Sequence, residues 1–396
     1  MPVRLAEREA IEKQQDWQSE LKVKELFVKH RAAGKWGYGL AKRGDGSCVF
    51  LDEENLCVIH KKYGLGSKPF ACQLYPFVLT PLGGRLRVGL RFDCPAVCKS
   101  EGRELTSYRQ ELKRLSKEMI PPGIQAVTEA KIYPRQKIPV EKAEIVNEAM
   151  LKIIDSDAVG LADRLQWLRG FAEHLSMVKW KRVEEDDFRE LVEMFRRSVF
   201  AEQQRGGVSR VPVKGKPRKM LGQVFFLLAQ PTTIITRESK GWFKNMGKRV
   251  QMTKQMKQLA QTTGLLPKIQ PGWPECDMSE LEKSFGDWPS EVEELLSRYL
   301  TCRLGSMGYF GSAFYGYSMV EGIESLLLGM VTVGWLMRVA AVKAHRGQVE
   351  LADAEEAVMT IDGNMGYATA LGFGPGRLRL RYLREHLEGF INWYCR

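Results

Sequence analysis

Five of the eight cysteines in this 396-residue chain, Cys48, Cys57, Cys72, Cys94 and Cys98, lie within about one eighth of its length, where random placement puts roughly one. A stretch so loaded with thiols is constrained by them before any helix or strand propensity acts. The spacing is C-x8-C-x14-C-x21-C-x3-C. It has neither the paired C-x2-C knuckles of zinc fingers nor the tight C-x2-C-x2-C run of ferredoxins. Thiolates are the ligands of soft and borderline metals, and four of them complete one tetrahedral zinc or one cubane iron–sulfur cluster. All five are candidate ligands, which leaves one spare or free for a second site. Iron–sulfur is expected ahead of zinc. His60, three residues after Cys57, is a further candidate, although a hydrogen-bonded structural histidine is the plainer expectation. The competing readings are buried free thiols, since free cysteine is among the most buried residue types, and a disulfide framework, which a reducing compartment and a chain of this size disfavour.

The compartment is itself an inference. Met1 to Lys22 is charged throughout and has no apolar segment of the secretory kind. The longest nearly apolar run, Leu326 to Met337, is closed by Arg338 and is shorter than the ~20 residues that a membrane-spanning helix needs. It is expected as a buried helix, with no transmembrane segment and a cytoplasmic location. Apolar residues make up 44% of the chain, enough to build a proper core, and the length suggests two domains. The formal net charge of +12 favours acidic partners.

Periodicity divides the chain near Ser100 to Ser107. Ahead of that point, Ala6 to His30 reads as one charged helix with Leu21, Val23, Leu26 and Phe27 as its apolar positions. Gly34 to Gly46 then reads as a loop-rich stretch. In Arg85 to Leu90, apolar and polar residues alternate after Gly83-Gly84, which predicts a strand or hairpin arm. Beyond residue 100 the spacing is helical: Glu101 to Met119, Val140 to Ile154, Ala158 to Met177, Glu184 to Glu202, Glu291 to Leu304, Tyr317 to His345, Asp353 to Leu371 and Gly376 to Tyr394. Ser290 is expected as an N-cap with Glu293 as its capping-box partner. The predicted fold is mainly α: residues 1–105 form an N-terminal helix plus a small irregular cysteine-rich metal-binding module with a short β hairpin, and residues 106–396 form an all-α domain.

Three pieces of the cysteine region carry a resemblance. Cys48-Val49-Phe50-Leu51 leading to Cys57-Val58-Ile59-His60 is similar to a C-x-F-L-x-x-x-x-x-C-x-I-H segment. Pro69-Phe70-Ala71-Cys72-Gln73-Leu74-Tyr75-Pro76 is similar to P-x-x-C-x-x-[FY]-P, and Cys94-Pro95 to a closing C-P. In order and spacing these resemble the zinc- or iron-chelating cysteine-cluster family that includes flagellin lysine-N-methylase, over about 50 residues. The resemblance implies metal binding by the cysteines. More distantly it implies S-adenosylmethionine-dependent methyl transfer to a lysine-containing protein substrate. The dense C-x-x-C-C-like motif that opens the family's pattern does not precede Cys48. The stretch after Met1 looks like what normally follows that motif, so a misassigned start or a truncated chain is expected. An in-frame stop codon directly upstream of Met1 would count against this.

The residues themselves supply no nucleotide site. No strand runs into a glycine-rich turn that opens a helix, and Gly372 to Gly376 reads as a helix stop and turn. Residues 205–257 carry thirteen Lys and Arg against the single acid Glu238, a local excess equal to the charge of the whole chain, with Trp242 and Phe243 interleaved. This basic arm would suit nucleic acid or another acidic surface, or be a solvated face; inside it, Leu221 to Ala229 is apolar and expected as a packed helix. Tyr309, Phe310, Phe314 and Tyr315, among glycines, are expected as a loop packed on the core rather than as a pocket. Cys276, Cys302 and Cys395 lie far apart in sequence, and Cys276 and Cys302 have no nearby histidine that would mark a nucleophile. Two functions stand side by side: a metal-binding, lysine N-methylase-like enzyme, and a non-catalytic, metal-stapled module whose basic arm binds acidic partners.

Overall fold

A computed structural model describes residues 1–32, 35–119, 127–203, 210–230, 242–366 and 368–396. The chain is mainly α and clusters into two compact units. The smaller comprises Met1–Tyr75, Gln110–Met119 and Thr233–Val250; the larger comprises Pro76–Arg109, Ile120–Thr232 and Gln251–Arg396. The break in compactness therefore falls at Tyr75/Pro76, ahead of the change in periodicity near Ser100.

The small unit opens with β1 (Pro2–Val3), α1 (Leu5–Gln14), α2 (Trp17–Leu21), β2 (Phe27–Ala32) and β3 (Lys35–Leu40). The single helix expected over Ala6 to His30 is thus three elements. The reason is local. Asp16 caps α2 by accepting from the Ser19 N–H at 3.2 Å, and Lys22 ends it in the left-handed conformation, φ 52°. Apolar Phe27 and Val28 then pair with β3 instead of continuing a helix, in the antiparallel register Phe27↔Leu40. The expected loop from Gly34 contains that partner strand. β1 adds to its other side, giving the order β1-β3-β2. Next come α3 (Val58–Tyr63) and α4 (Phe70–Leu74). The core is small: Trp17, Phe50, Val49, Ile59, Ile11 and a few smaller apolar side chains. Trp17 donates its indole N–H to the Ile11 carbonyl at 2.9 Å and meets Phe50 edge-on at 5.6 Å.

The large unit begins with the expected hairpin, β4 (Phe77–Leu82) and β5 (Arg85–Leu90), turned at Gly83-Gly84, both with positive φ. After it come α5 (Pro95–Cys98) and α6 (Arg109–Met119), most of the latter belonging to the small unit. A second hairpin, β6 (Glu129–Tyr133) and β7 (Gln136–Pro139), interrupts the region expected to be all helical. Helices follow: α7 (Val140–Ile154), α8 (Leu161–Met177), α9 (Glu185–Gln203), α10 (Lys216–Leu228), α11 (Trp242–Leu259, of which the part up to Val250 belongs to the small unit), α12 (Met278–Leu281), α13 (Ser290–Gly305), α14 (Met319–Lys343), α15 (Leu351–Asn364), α16 (Thr369–Gly372), α17 (Gly374–Arg384) and α18 (Leu387–Tyr394). Leu161, Leu165, Leu168 and Phe171 share the buried face of α8, as the spacing predicts.

α14 is the axis of the large core. It is the one described helix long and apolar enough to cross a membrane, and 94% of its most apolar window is buried inside the protein, as expected of a core helix. It packs on α8, α15 and α18. Ser318 and Glu321 form its capping box. The box expected at Ser290 does not form: Pro289 is the N-cap of α13, and Glu293 instead accepts from the Leu161 N–H that opens α8, at 3.0 Å.

Candidate functional site

Two consecutive tight turns deliver the first two cysteines. Lys42 bridges to Cys48, and Leu51 bridges to Cys57. Each turn is pinned by an aspartate that accepts from backbone amides. Asp45 takes the Ser47 N–H at 2.9 Å; Asp52 takes the N–H groups of Glu54 and Leu56 at 3.0 and 2.9 Å, and these bonds hold its carboxyl below the ordinary range. The Arg43 guanidinium clamps the two turns together by donating to the carbonyls of Val49 and Leu51, at 3.1 and 2.6 Å. Val49 and Phe50 on one side of the connection, and Val58 and Ile59 after Cys57, are buried. The thiols are therefore mounted on backbone anchored in the small core.

Cys72 arrives from elsewhere. It sits in α4, whose first N–H, on Phe70, donates to Glu7 Oε1 at 2.9 Å. Gln73, next along, donates to the Lys68 carbonyl at 2.7 Å and accepts from Arg114 on α6. Cys48, Cys57 and Cys72 all pack, half-buried, against the same small core. Burial pushes the Cys72 thiol up to about 11, with Cys48 and Cys57 adding to the rise and Lys68 opposing it. Burial also raises Cys48, reinforced by Cys57. Three of the five candidate ligands thus pack against one small core. His60 is exposed on α3.

The other two candidates belong to the large unit. Cys94 is the N-cap of α5, in a loop held by Asp362, whose Oδ2 accepts from the Phe92 and Asp93 N–H groups at 2.8 and 3.3 Å. Cys98 is buried in the large core, its thiol 4.0 Å from the Glu355 carbonyl and pushed up to about 11 by burial. Cys302 accepts from the Leu90 N–H at 3.2 Å, and Cys276 and Cys395 are buried. None of these has the electropositive, accessible surroundings of a reactive thiolate. All eight cysteines are free thiols, without disulfides.

The donor chemistry of the small unit suits a soft or borderline metal. The ligand count is short of closure. Among the described residues, no group of three or more His, Cys, Asp or Glu side chains stands close enough to hold a metal ion. Three thiols in one unit are also one fewer than a tetrahedral zinc or a cubane needs.

The basic stretch divides in two. Residues 205–209 and 231–241 lie outside the described residues, as do the side chains of Trp242 and Phe243. Of the rest, Arg218 is not part of any exposed arm. It is 2% exposed and paired with Glu282 at 2.5 Å, because α10, including the apolar Leu221 to Leu228, packs into the large core. Arg210 pairs with Asp287 at 3.0 Å. α11, by contrast, leaves Arg249, Val250, Met252 and Lys254 exposed, and no acidic residue occurs between Glu238 and Glu275. The aromatics of the glycine-rich loop, Tyr309, Phe310 and Phe314, are buried in the core, as expected.

Sequence reasoning missed the buried charges of α14. Glu321, Glu324 and Arg338 are all within 7% exposure. Their signal is plain: two acids three residues apart at the head of the most apolar helix, and an arginine within it, here donating to the carbonyls of Leu281 and Lys283 at 3.1 and 3.0 Å. Comparison with family models, with curated proteins and with solved structures finds no match to this chain.

Proposed function

We propose that this is a metal-binding cysteine-cluster protein, iron–sulfur ahead of zinc, with Cys48, Cys57 and Cys72 as ligands in the small unit. The observation that carries the reading is the gathering of three thiols, from two pinned turns and a separate helix, beside one small core. Burial raises the thiols of Cys48 and Cys72, so metal uptake by those two would release protons and strengthen as pH rises. Such a centre would supply either a structural staple or redox chemistry. Cys94 and Cys98, the other two candidate ligands, belong to the large unit. The proposal is tested on protein purified anaerobically. A brown preparation with broad visible absorption and stoichiometric iron supports the iron–sulfur form; a colourless one with one equivalent of zinc supports the alternative. Cys57→Ser and Cys72→Ser should each lose the metal, while Cys395→Ser keeps it. An intact preparation with neither metal overturns the reading. Serine at Cys94 and at Cys98 tests whether either thiol is needed for metal retention.

The cellular setting that goes with this reading is the reducing cytoplasm. Its enzymatic extension is methyl transfer from S-adenosylmethionine to a protein lysine, and it rests on the resemblance of residues 48–98 alone. Transfer of labelled methyl groups to lysine-containing protein is its test.

A second reading is favoured by α11. Its exposed basic residues, with no acid nearby in the chain, would bind the phosphate backbone of nucleic acid whether or not the protein is catalytic. Binding of this kind falls steeply with salt, by roughly one power of the salt concentration per phosphate neutralised. Absence of binding at low salt removes it.

A further inference from the structure

α17 carries four arginines, Arg377, Arg379, Arg381 and Arg384, and no acid. No Asp or Glu occurs in the chain between Asp362 and Glu385. Helical spacing puts Gly374, Leu378, Arg381 and Glu385 on one face, and all four are exposed. Leu380 and Leu383 hold the other side in the large core. Two large apolar side chains stand in solvent at the start of the helix: Phe373, its N-cap, and Leu378, each 66% exposed. Pro375 between them is exposed as well. A single exposed leucine is ordinary, but an aromatic and a leucine set at the head of an arginine-rich helix form a patch that calls for a partner.

The arginines are loosely held from inside. Glu321 Oε1 lies 3.9 Å from Arg377 and 3.8 Å from Arg381, while its Oε2 serves the α14 cap, accepting from the Ser318 N–H and hydroxyl at 2.9 and 3.0 Å. Arg377 also donates to the Tyr315 carbonyl at 2.8 Å. Glu324 Oε1 lies 3.5 Å from Arg384. Burial pushes the Glu324 carboxyl up to about 7, so at neutral pH it cancels only part of a charge. Arg135, exposed in the β6–β7 turn, has no ion pair among the described residues. It lines one cleft of about 430 Å³ with Arg381 and Arg384, alongside Glu321, Glu324 and Glu385. Of those three acids, Glu321 and Glu324 are buried, so the charge that faces solvent here is mainly positive.

The mixture selects the partner. A nucleic-acid backbone would engage the arginines and leave Leu378 without a contact of its own kind. An apolar protein groove would take Phe373 and Leu378 and desolvate the guanidinium groups beside them at a cost. The interface of an anionic bilayer satisfies both: headgroup phosphates meet arginine, and apolar tips enter the boundary with the acyl chains. We propose that α17 docks the large unit on an anionic lipid bilayer, with Phe373 and Leu378 entering the headgroup–acyl boundary and Arg135, Arg377 and Arg381 pairing with headgroup phosphates. Nothing in this depends on the cysteines.

The experiment is co-sedimentation of the full chain with vesicles of phosphatidylcholine alone and of phosphatidylcholine with roughly 30% phosphatidylserine. The anionic vesicles should bind the protein at least roughly tenfold more strongly, and the preference should fade as added salt screens the arginines. The double variant Phe373→Ser/Leu378→Ser should bind anionic vesicles at least roughly tenfold more weakly. Its melting temperature should not change, because both side chains already lie mostly in solvent. α11 has basic residues of its own, so this apolar pair decides the matter: wild-type binding in the double variant assigns the attraction elsewhere and overturns the proposal. Arg135→Gly/Arg381→Gln, whose first change suits the positive φ of that turn, should weaken binding several-fold, and wild-type affinity in it also overturns the proposal. So does absence of binding to anionic vesicles at low salt. Self-association of the lipid-free protein that Phe373→Ser/Leu378→Ser abolishes would mark the face as a contact between copies of the chain, and overturns it too.

Discussion

At the scale of single residues, Glu324 makes a prediction independent of any ligand. Burial raises its carboxyl from the ordinary 4.5 to about 7, Arg384 opposing the rise and Glu321 adding to it. The folded state therefore holds a proton that the unfolded chain has already lost at intermediate pH. A group raised in this way contributes stability that is fully present below pH 4.5 and is lost as pH climbs through 7. The loss amounts to at most about 3 kcal/mol for a shift of this size. Glu324→Gln cannot titrate. Denaturant melts at a series of pH values should therefore show the variant gaining on the wild type between pH 4.5 and 8, with a flat difference above that. A difference that is constant over the whole range would mean that the carboxyl is ionised throughout. The cysteines are the contrasting case. Their residue type and clustering made them legible as candidates from the chain alone. What the chain could not reveal is that Cys98 is buried against a helix more than 250 residues away. Density along the sequence says nothing about which unit's core a thiol will join.

At the scale of elements, α14 depends on close approach as much as on apolar area. A Cβ on Gly334 would lie 2.0 Å from the Tyr394 carbonyl oxygen of α18, and one on Gly322 would lie 2.2 Å from the Tyr309 carbonyl oxygen. Backbone cannot retreat as a side-chain tip can. Gly334→Ala should thus destabilise the large unit by about 1–3 kcal/mol, despite alanine's better helix propensity. A thermal melt equal to or above the wild type would show that α18 yields. This kind of packing explains where reading the sequence succeeded. Val140 to Ile154, and the buried face of α8, were legible because one apolar stripe at helical spacing decides both the element and its orientation. The β2–β3 hairpin was not, since Phe27 and Val28 fit a helical stripe as well as a strand, and only pairing with Leu40 and Gly39 chooses between them. The β6–β7 hairpin was hidden for a related reason: its inward residues are just Ala130, Ile132 and Ile138, too few to announce alternation. The capping box at Ser290 failed to form because Glu293 was taken by a tertiary partner, the N-terminus of α8.

At the scale of the whole molecule, the two units have unequal means of holding themselves together. The large unit buries a continuous core around α14. The core cluster of the small unit has ten buried apolar residues among the described residues, four of them, Val49, Phe50, Val58 and Ile59, between the Cys48 and Cys57 turns or just after Cys57, and polar turns make up much of the rest. A core of that size is marginal on its own, and domains in that position commonly rely on a metal or a cross-link. If thiolates bind a metal there, the metal's binding free energy becomes folding free energy for that unit alone. Hydrogen exchange should show this directly. On adding a strong chelator to anaerobically prepared holo-protein, amides between Ala41 and Tyr75 should lose protection by one to several orders of magnitude. Those of α7, α8 and α14 should stay protected, because their core contains no ligand cysteine apart from Cys98. Equal loss in both units would mean that the stabilisation is not confined to the small unit, which counts against this reading. No change in either would separate the thiol cluster from folding altogether, and leave the pinned turns of Asp45 and Asp52, with the Arg43 clamp, as what holds the small unit together.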